Sequence, residues 1–293
     1  RELLNTFKDA FRGYSQDGVP RMAAAISYYT IFSIAPLLII IIAIVGFVYG
    51  DEQARQQLLG QVSQALGPQA AQQIGTMIEQ TNQGGSGVVA TVIGIVTVLV
   101  GATGVFTQLQ KSLNDIWKSG PDKSKGALHT LWLRFRGLLM VLVLGLVLIL
   151  AFALQSALNV IITNFQDLLP GGNWIWYIAN LVLTIAIYTG IFMLLFKLIP
   201  DAETSWSEVW RGALLTAILL KIGEIALGIY LGTSGVSSAY GAAGSLVVLL
   251  LYVFYSAQIV LFGAEFTHAD AKRLRAQDES AAEGQAATSG GQR

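Results

Sequence analysis

The chain has 293 residues, 54% of them hydrophobic and 12% charged, with 18 basic and 18 acidic side chains and a mean hydropathy of +0.59. Soluble domains carry about 25% charge, so this is the composition of a membrane protein, and the zero net charge offers no general attraction to nucleic acid. No cysteine is present, which excludes disulfides, thiol catalysis, Fe–S clusters and Cys-based zinc sites.

Residues 1–21 form a short polar head in which Leu3, Leu4, Phe7, Phe11 and Tyr14 are spaced as an amphipathic helix at the membrane interface. From Met22 to Gly50 run 29 residues without a charge. A hydrocarbon core about 30 Å thick needs about 20 helical residues, so this first span, 22–48, has length to spare for tilt. It is too long for a signal-peptide core and has no small-residue cleavage pattern, so it is expected to remain as an anchor. Ala25, Tyr29, Ser33 and Pro36 share one of its faces. Pro36 has no N–H for the Phe32 carbonyl and predicts a kink, and lipid does not tolerate that freed carbonyl, so protein or water must cover it. A kinked packing helix and a polar lining both remain open for this face.

Residues 51–83 contain ten glutamines, with Leu58, Leu59, Val62 and Leu66 and then Ile74, Met77 and Ile78 at helical spacing. Gly67-Pro68 breaks the run, so a helical hairpin outside the bilayer is expected, ended by the GGSG at 84–87. A second span follows at 87–109, where Gly87, Gly94, Gly101 and Gln108 recur every seven residues as a stripe for close helix contact. A polar stretch leads to a third span at 134–158. The fourth, fifth and sixth are expected at 174–199, 208–232 and 242–267. Residues 268–293 are poor in large apolar side chains and predict a disordered tail. The expected fold is an all-α bundle of six transmembrane helices with a short extracytoplasmic hairpin.

Lysine and arginine set the orientation. Sixteen fall on the side of the termini and of the loop after the second span, and only Arg55 lies on the other. The positive-inside rule then puts both termini in the cytoplasm. All six tryptophans fall outside the spans or at their edges, as an interfacial belt requires.

Lys221 and Glu224 stand near the middle of the fifth span. Each mid-bilayer charge costs about 2.5–3.5 kcal/mol on insertion scales, and at a spacing of three they can pair on one face. A self-satisfied pair that fixes packing and a polar pathway for a headgroup, ion or proton are both open. Gly228 and Gly232 continue that face as a G-x-x-x-G for close approach of a neighbour. The sixth span adds Gln258 and Glu265, with Glu265 expected near the cytoplasmic end and wet. Glu208 and Arg211 read as an interfacial pair.

Four blocks, AAAISYYTIFSIAPLL, FTQLQKSLNDIW, WRGALLTAILLKIGEIALGIYL and YGAAGSLVVLLLYVFYSAQIVLFGAEFTHA, resemble the YihY/BrkB family of bacterial inner-membrane proteins. The resemblance covers all but the tail and implies a six-helix membrane protein. Family members have been labelled ribonuclease BN, linked to serum resistance, and proposed to move lipids or lipopolysaccharide precursors. Nuclease chemistry finds little here: the two histidines, His129 and His268, stand apart from any cluster of carboxylates. No nucleotide-binding fingerprint is present either. The expectation is a carrier, a transporter or flippase of a lipid or amphipathic envelope molecule, and not an enzyme. Its pathway candidates are Lys221, Glu224, Gln258, Glu265, Tyr29 and Ser33, with no catalytic residue, metal or cofactor. Expected partners are membrane lipids, with a second copy or other envelope proteins beside them, and no nucleic acid. The rival reading is a non-transporting scaffold that organises the envelope.

Overall fold

The computed structural model describes residues 2–31, 50–66, 104–119, 173–202, 204–233 and 244–290, together with 71, 72, 75, 76 and 79. Among these residues the regular structure is entirely α-helical. Helix α1 is Glu2–Gln16, α2 is described from 19 to 31, and α3 is Asp51–Leu66. Helix α4 covers 104–116, α5 is Asn173–Leu198, α6 is Trp206–Thr233 and α7 is Gly244–Gly290. Stretches of the last three, Ile178–Leu198, Trp206–Tyr230 and Val247–Gln277, are long and apolar enough to cross a bilayer. They match the fourth, fifth and sixth expected spans. The third span, most of the first two, and Ser33, Pro36, Gly94 and Gly101 lie outside the described residues.

Helix α6 packs between α5 and α7. Its start is defined by Ser205-x-x-Glu208, whose glutamate accepts a hydrogen bond from the Ser205 backbone N–H at 2.6 Å, as in a capping box. Phe192, Leu195 and Phe196 of α5 meet Val209, Ala213 and Ala217 of α6 and Ala257, Leu261 and Ala264 of α7 in one buried cluster. Leu113 and Ile116 of α4 and Val19, Ala23 and Ile26 of α2 complete it.

Helices α6 and α7 touch backbone to side chain. A Cβ on Gly212 would lie 1.8 Å from Thr267 Oγ1, and one on Gly263 would lie 1.8 Å from Thr216 Oγ1. Each threonine hydroxyl bonds within its own helix, Thr216 to the Gly212 carbonyl at 2.6 Å and Thr267 to the Gly263 carbonyl at 2.7 Å. Both threonine hydroxyls at the crossing are therefore met, and each glycine receives the opposite threonine. Further along, Gly223 receives the Tyr255 ring. The numbers rise on α6 as they fall on α7, so the two helices run antiparallel.

Helix α4 continues to 116, past the expected end of the second span at 109, because Leu113 and Ile116 are fully buried in the core. It ends in a left-handed turn at Lys118 (φ 51°), with Ser119 N–H on the Asn114 carbonyl at 2.9 Å and Lys118 N–H on the Asp115 carbonyl at 3.3 Å. This is the Schellman pattern with lysine in the place usually held by glycine. The Asn114 side chain clasps Asp201 between α5 and α6, donating to its carboxylate and accepting from its backbone N–H, both at 2.8 Å.

Three expectations change. Trp117 is not part of an interfacial belt: it is 8% exposed and packed in the core, because α4 carries it inward. Helix α7 runs on to Gly290, so 268–290 is helical where disorder was expected. Its alanine, arginine, glutamine and glutamate are good helix formers, and Arg273 on Asp9 and Arg275 on Glu208 tether the extension to α1 and α6. Those tethers also replace the expected Glu208–Arg211 pair. Helix α1 packs Phe7 and Tyr14 on Phe262 and Phe266 of α7, while Leu4 and Phe11 stay exposed.

In the glutamine-rich segment, α3 meets the helical residues after it through Arg55–Glu79 and through Leu59, 3.4 Å from a Cβ on Gly75. The partner falls from Glu79 to Gly75 as α3 rises from Arg55 to Leu59, so the two helical stretches run antiparallel. Gly67 and Pro68 themselves lie outside the described residues.

Candidate functional site

The charged pair within the α6 span forms as its spacing allows. Lys221 Nζ lies 2.9 Å from Glu224 Oε2, and the Tyr188 hydroxyl of α5 donates to Glu224 Oε1 at 3.0 Å. Both carboxylate oxygens are thus met, one from the same helix and one from its neighbour. The Lys221 and Glu224 side chains keep 33% and 22% exposure, so neither is sealed into the core. Lys221 uses one of its three ammonium donors on Glu224, which leaves it donors for a further acceptor.

Carried along the two helices, the register of the crossing sets Lys221 about level with Gln258 of α7. Gln258 Oε1 accepts a short hydrogen bond from the Tyr14 hydroxyl, so the last turn of α1 reaches that depth. Gly223 leaves room for Tyr255 beside it. Tyr29 of α2 lies against Gly104 of α4 and meets Tyr28 edge-on at 5.8 Å, with 42% of its surface exposed. It is not brought to the Lys221 pair by any contact among the described residues. Gly232 lies in α6 with Gly228, but among the described residues nothing stands within 4 Å of a Cβ at Gly228.

Glu265 is placed quite differently from the wet, interfacial carboxylate that the sequence suggests. It is 3% exposed and fills the space that a side chain on Gly13 would need: a Cβ there would lie 2.2 Å from Glu265 Oε2. Asp17, just past α1, adjoins the Glu265 carboxyl, and Lys118 pairs with Asp17. One turn along α7, His268 meets the Trp117 ring edge-on at 5.1 Å. Glu265 Oε1, His268 Nδ1 and Trp117 Nε1 are all buried without a hydrogen-bond partner. An acceptor, a donor and a ring nitrogen able to be either are left unmet around a left-handed non-glycine turn. Buried polar atoms are ordinarily paired, and strained turns persist only where their surroundings hold them, so this cluster is a second candidate centre.

The two centres share helix α7, with Gln258 and Glu265 seven residues apart, about 10 Å along the axis. Sequence reasoning named Gln258 and Glu265 but missed Asp17, Lys118, Trp117 and His268 as their neighbours. Those residues come from α4, from the turn after α1 and from α7, and no local spacing announces a contact across 101 residues such as Asp17–Lys118.

A family profile described as Virulence factor BrkB matches residues 10–288. A UPF0761 membrane protein of Pseudomonas paraeruginosa is 25% identical over 253 residues, covering 85% of this chain and 58% of that protein. One from Stenotrophomonas maltophilia strain K279a is 25% identical over 255 residues, covering 87% and 58%. One from Mannheimia succiniciproducens is 26% identical over 257 residues, covering 87% of this chain and 85% of that protein. The chain therefore spans somewhat over half the length of the Pseudomonas relative and 85% of the Mannheimia one. No solved structure matches it.

Proposed function

The chain belongs to the BrkB family and is an integral membrane protein, and from that premise we propose that it carries a lipid or similar amphipathic envelope molecule across the bilayer. The observation behind this reading is the Lys221–Glu224 pair inside an apolar span, held by Tyr188 and still partly exposed. A pair kept only for packing would be best sealed; a pair that meets a passing headgroup needs a face left open. Lys221 would engage an anionic part of the cargo, while Glu224, itself bound by Tyr188, holds the lysine in place. The Glu265 cluster would govern how α1 and α4 sit against α7 as the path opens and closes. In this reading the membrane is the bacterial inner membrane, both termini are cytoplasmic, and the 51–83 hairpin faces the other side. No residue is assigned a catalytic part.

The test is reconstitution of the full chain into liposomes holding fluorescent phospholipid in both leaflets, followed by chemical quenching from outside. Transport predicts that quenching passes the half-way mark with the native chain and stops there with a Lys221→Met/Glu224→Leu chain reconstituted at equal density. Quenching that stops half-way with the native chain as well, for each lipid class tried, would remove the carrier reading.

A further inference from the structure

A cleft of about 380 Å³ opens at the end of the bundle where α6 begins, between the first turns of α1, the start of α6 and the far part of α7. Its polar lining includes Asn5, Thr6, Arg211, Asp270, Arg273 and Gln277. The charges there are not equally settled. Arg273 is bound to Asp9, and Arg275 nearby grips Glu208 through two N–H groups at 2.7 and 3.2 Å.

Arg211 and Asp270 remain. Arg211 Nη1 stands 3.7 Å from Asp270 Oδ2, beyond hydrogen-bonding distance. Asp270 is only 5% exposed, and its Oδ2 has no hydrogen-bond partner. The Arg211 side chain is 45% exposed, with its guanidinium held 5.7 Å from the centre of the Trp210 ring. The cleft therefore holds a loose Arg211–Asp270 ion pair, with a half-exposed guanidinium and a buried carboxylate oxygen that lacks a hydrogen bond. Trp206 and Trp210, beside it at the start of α6, are 50% and 43% exposed. Exposed tryptophans at the end of an apolar span mark the headgroup layer.

We propose that this cleft binds a zwitterionic phospholipid headgroup with a primary ammonium, which inserts into the loose Arg211–Asp270 pair with its phosphate on the Arg211 guanidinium and its ammonium on the Asp270 carboxylate. The arginine fork matches two phosphate oxygens. A primary ammonium brings three N–H donors to the buried carboxylate oxygen, whereas a trimethylated one brings none. A purely anionic headgroup would set a second negative charge against Asp270. The volume suits a headgroup whose acyl chains stay in the bilayer beside α6 and α7. The site does not depend on transport, because a stationary bundle would hold the same lipid.

The experiment is native mass spectrometry of the full chain in detergent, with phosphatidylethanolamine, its mono-, di- and trimethylated forms and phosphatidylglycerol, all with matched acyl chains. The native chain should retain phosphatidylethanolamine about tenfold or more over the trimethylated lipid and over phosphatidylglycerol, the effect of one charge-assisted hydrogen bond. Retention should fall stepwise with methylation. Asp270→Asn should abolish the preference over phosphatidylglycerol, and Arg211→Gln should weaken every phospholipid. Equal retention of all five lipids overturns the proposal, and so does a preference that survives Asp270→Asn. The methylation series needs no variant, so the question is answered even if Asp270→Asn fails to fold. Soluble phosphoethanolamine is the last arm: displacement of the lipid at equal concentration would reassign the cleft to a free solute and overturn the lipid assignment.

Discussion

Gly212 and Thr267 occupy each other's space: the glycine's missing Cβ is where the threonine hydroxyl sits, and Gly263 repeats the arrangement with Thr216. Alanine at either glycine must push two backbones apart. Each of Gly212→Ala and Gly263→Ala should cost about 1–3 kcal/mol, the usual range for overpacking a tight contact. Gly228→Ala should be neutral or slightly stabilising, since alanine favours helix by about 1 kcal/mol and nothing described stands near that position. Thermal denaturation of the three variants in one detergent is the measurement. Equal losses at 212 and 228 would refute this account of the crossing.

The Gly13–Glu265 contact predicts a rescue. Gly13→Ala should lower stability and abundance, because the added methyl meets a buried carboxylate at 2.2 Å. Gly13→Ala/Glu265→Ala should recover much of that loss, since the second change vacates the site. No recovery would mean that α1 is held against α7 by something else.

Lys118 separates backbone strain from charge. A non-glycine residue in the left-handed region carries about 1–2 kcal/mol of strain that glycine would not. If Lys118 served only to end α4, Lys118→Gly would stabilise. Its pairing with Asp17 beside a buried Glu265 argues for the opposite sign, with Lys118→Gly less stable than the native chain and Lys118→Arg close to it. Chemical denaturation of the two variants decides the sign.

Removing one half of the Lys221–Glu224 pair leaves a lone charge in an apolar span. Lys221→Met should reduce membrane abundance, and Lys221→Met/Glu224→Leu should restore it, because an apolar pair packs at least as well as a buried ionic one. Abundance that stays low in the double variant would show that the Tyr188–Glu224 bond, and not charge balance, holds this part of the bundle.

For orientation, a phosphatase fused after the last residue should be inactive, and one inserted at Gln69 active. The reverse pattern would invert the positive-inside argument.

What could be read in advance follows from range along the chain. The spans of α5, α6 and α7 are legible because about 20 apolar residues have few other uses. The Lys221–Glu224 pair is legible because three residues make less than one turn. The close crossing was present in the sequence twice, as Gly212-x-x-x-Thr216 and Gly263-x-x-x-Thr267. Gly228-x-x-x-Gly232, with two glycines, looks the better contact face. Which small face meets a neighbour depends on how α6 is rotated, and α6 is apolar nearly all round, so no polar side reports that rotation. Glu265 misleads for a related reason. Its place near the end of a span suggests a wet carboxylate, whereas its burial comes from Gly13, far off in the sequence.

Helix α7 has 47 residues, which makes it about 70 Å long, more than twice the thickness of a hydrocarbon core. Asp9 and Glu208 grip it through Arg273 and Arg275, near where it leaves the apolar layer, as a bearing grips a shaft. Measured from that grip the outer part is the shorter arm, about 22 Å against about 44 Å inside the bundle, so a small displacement outside is roughly doubled at the deep end of α7.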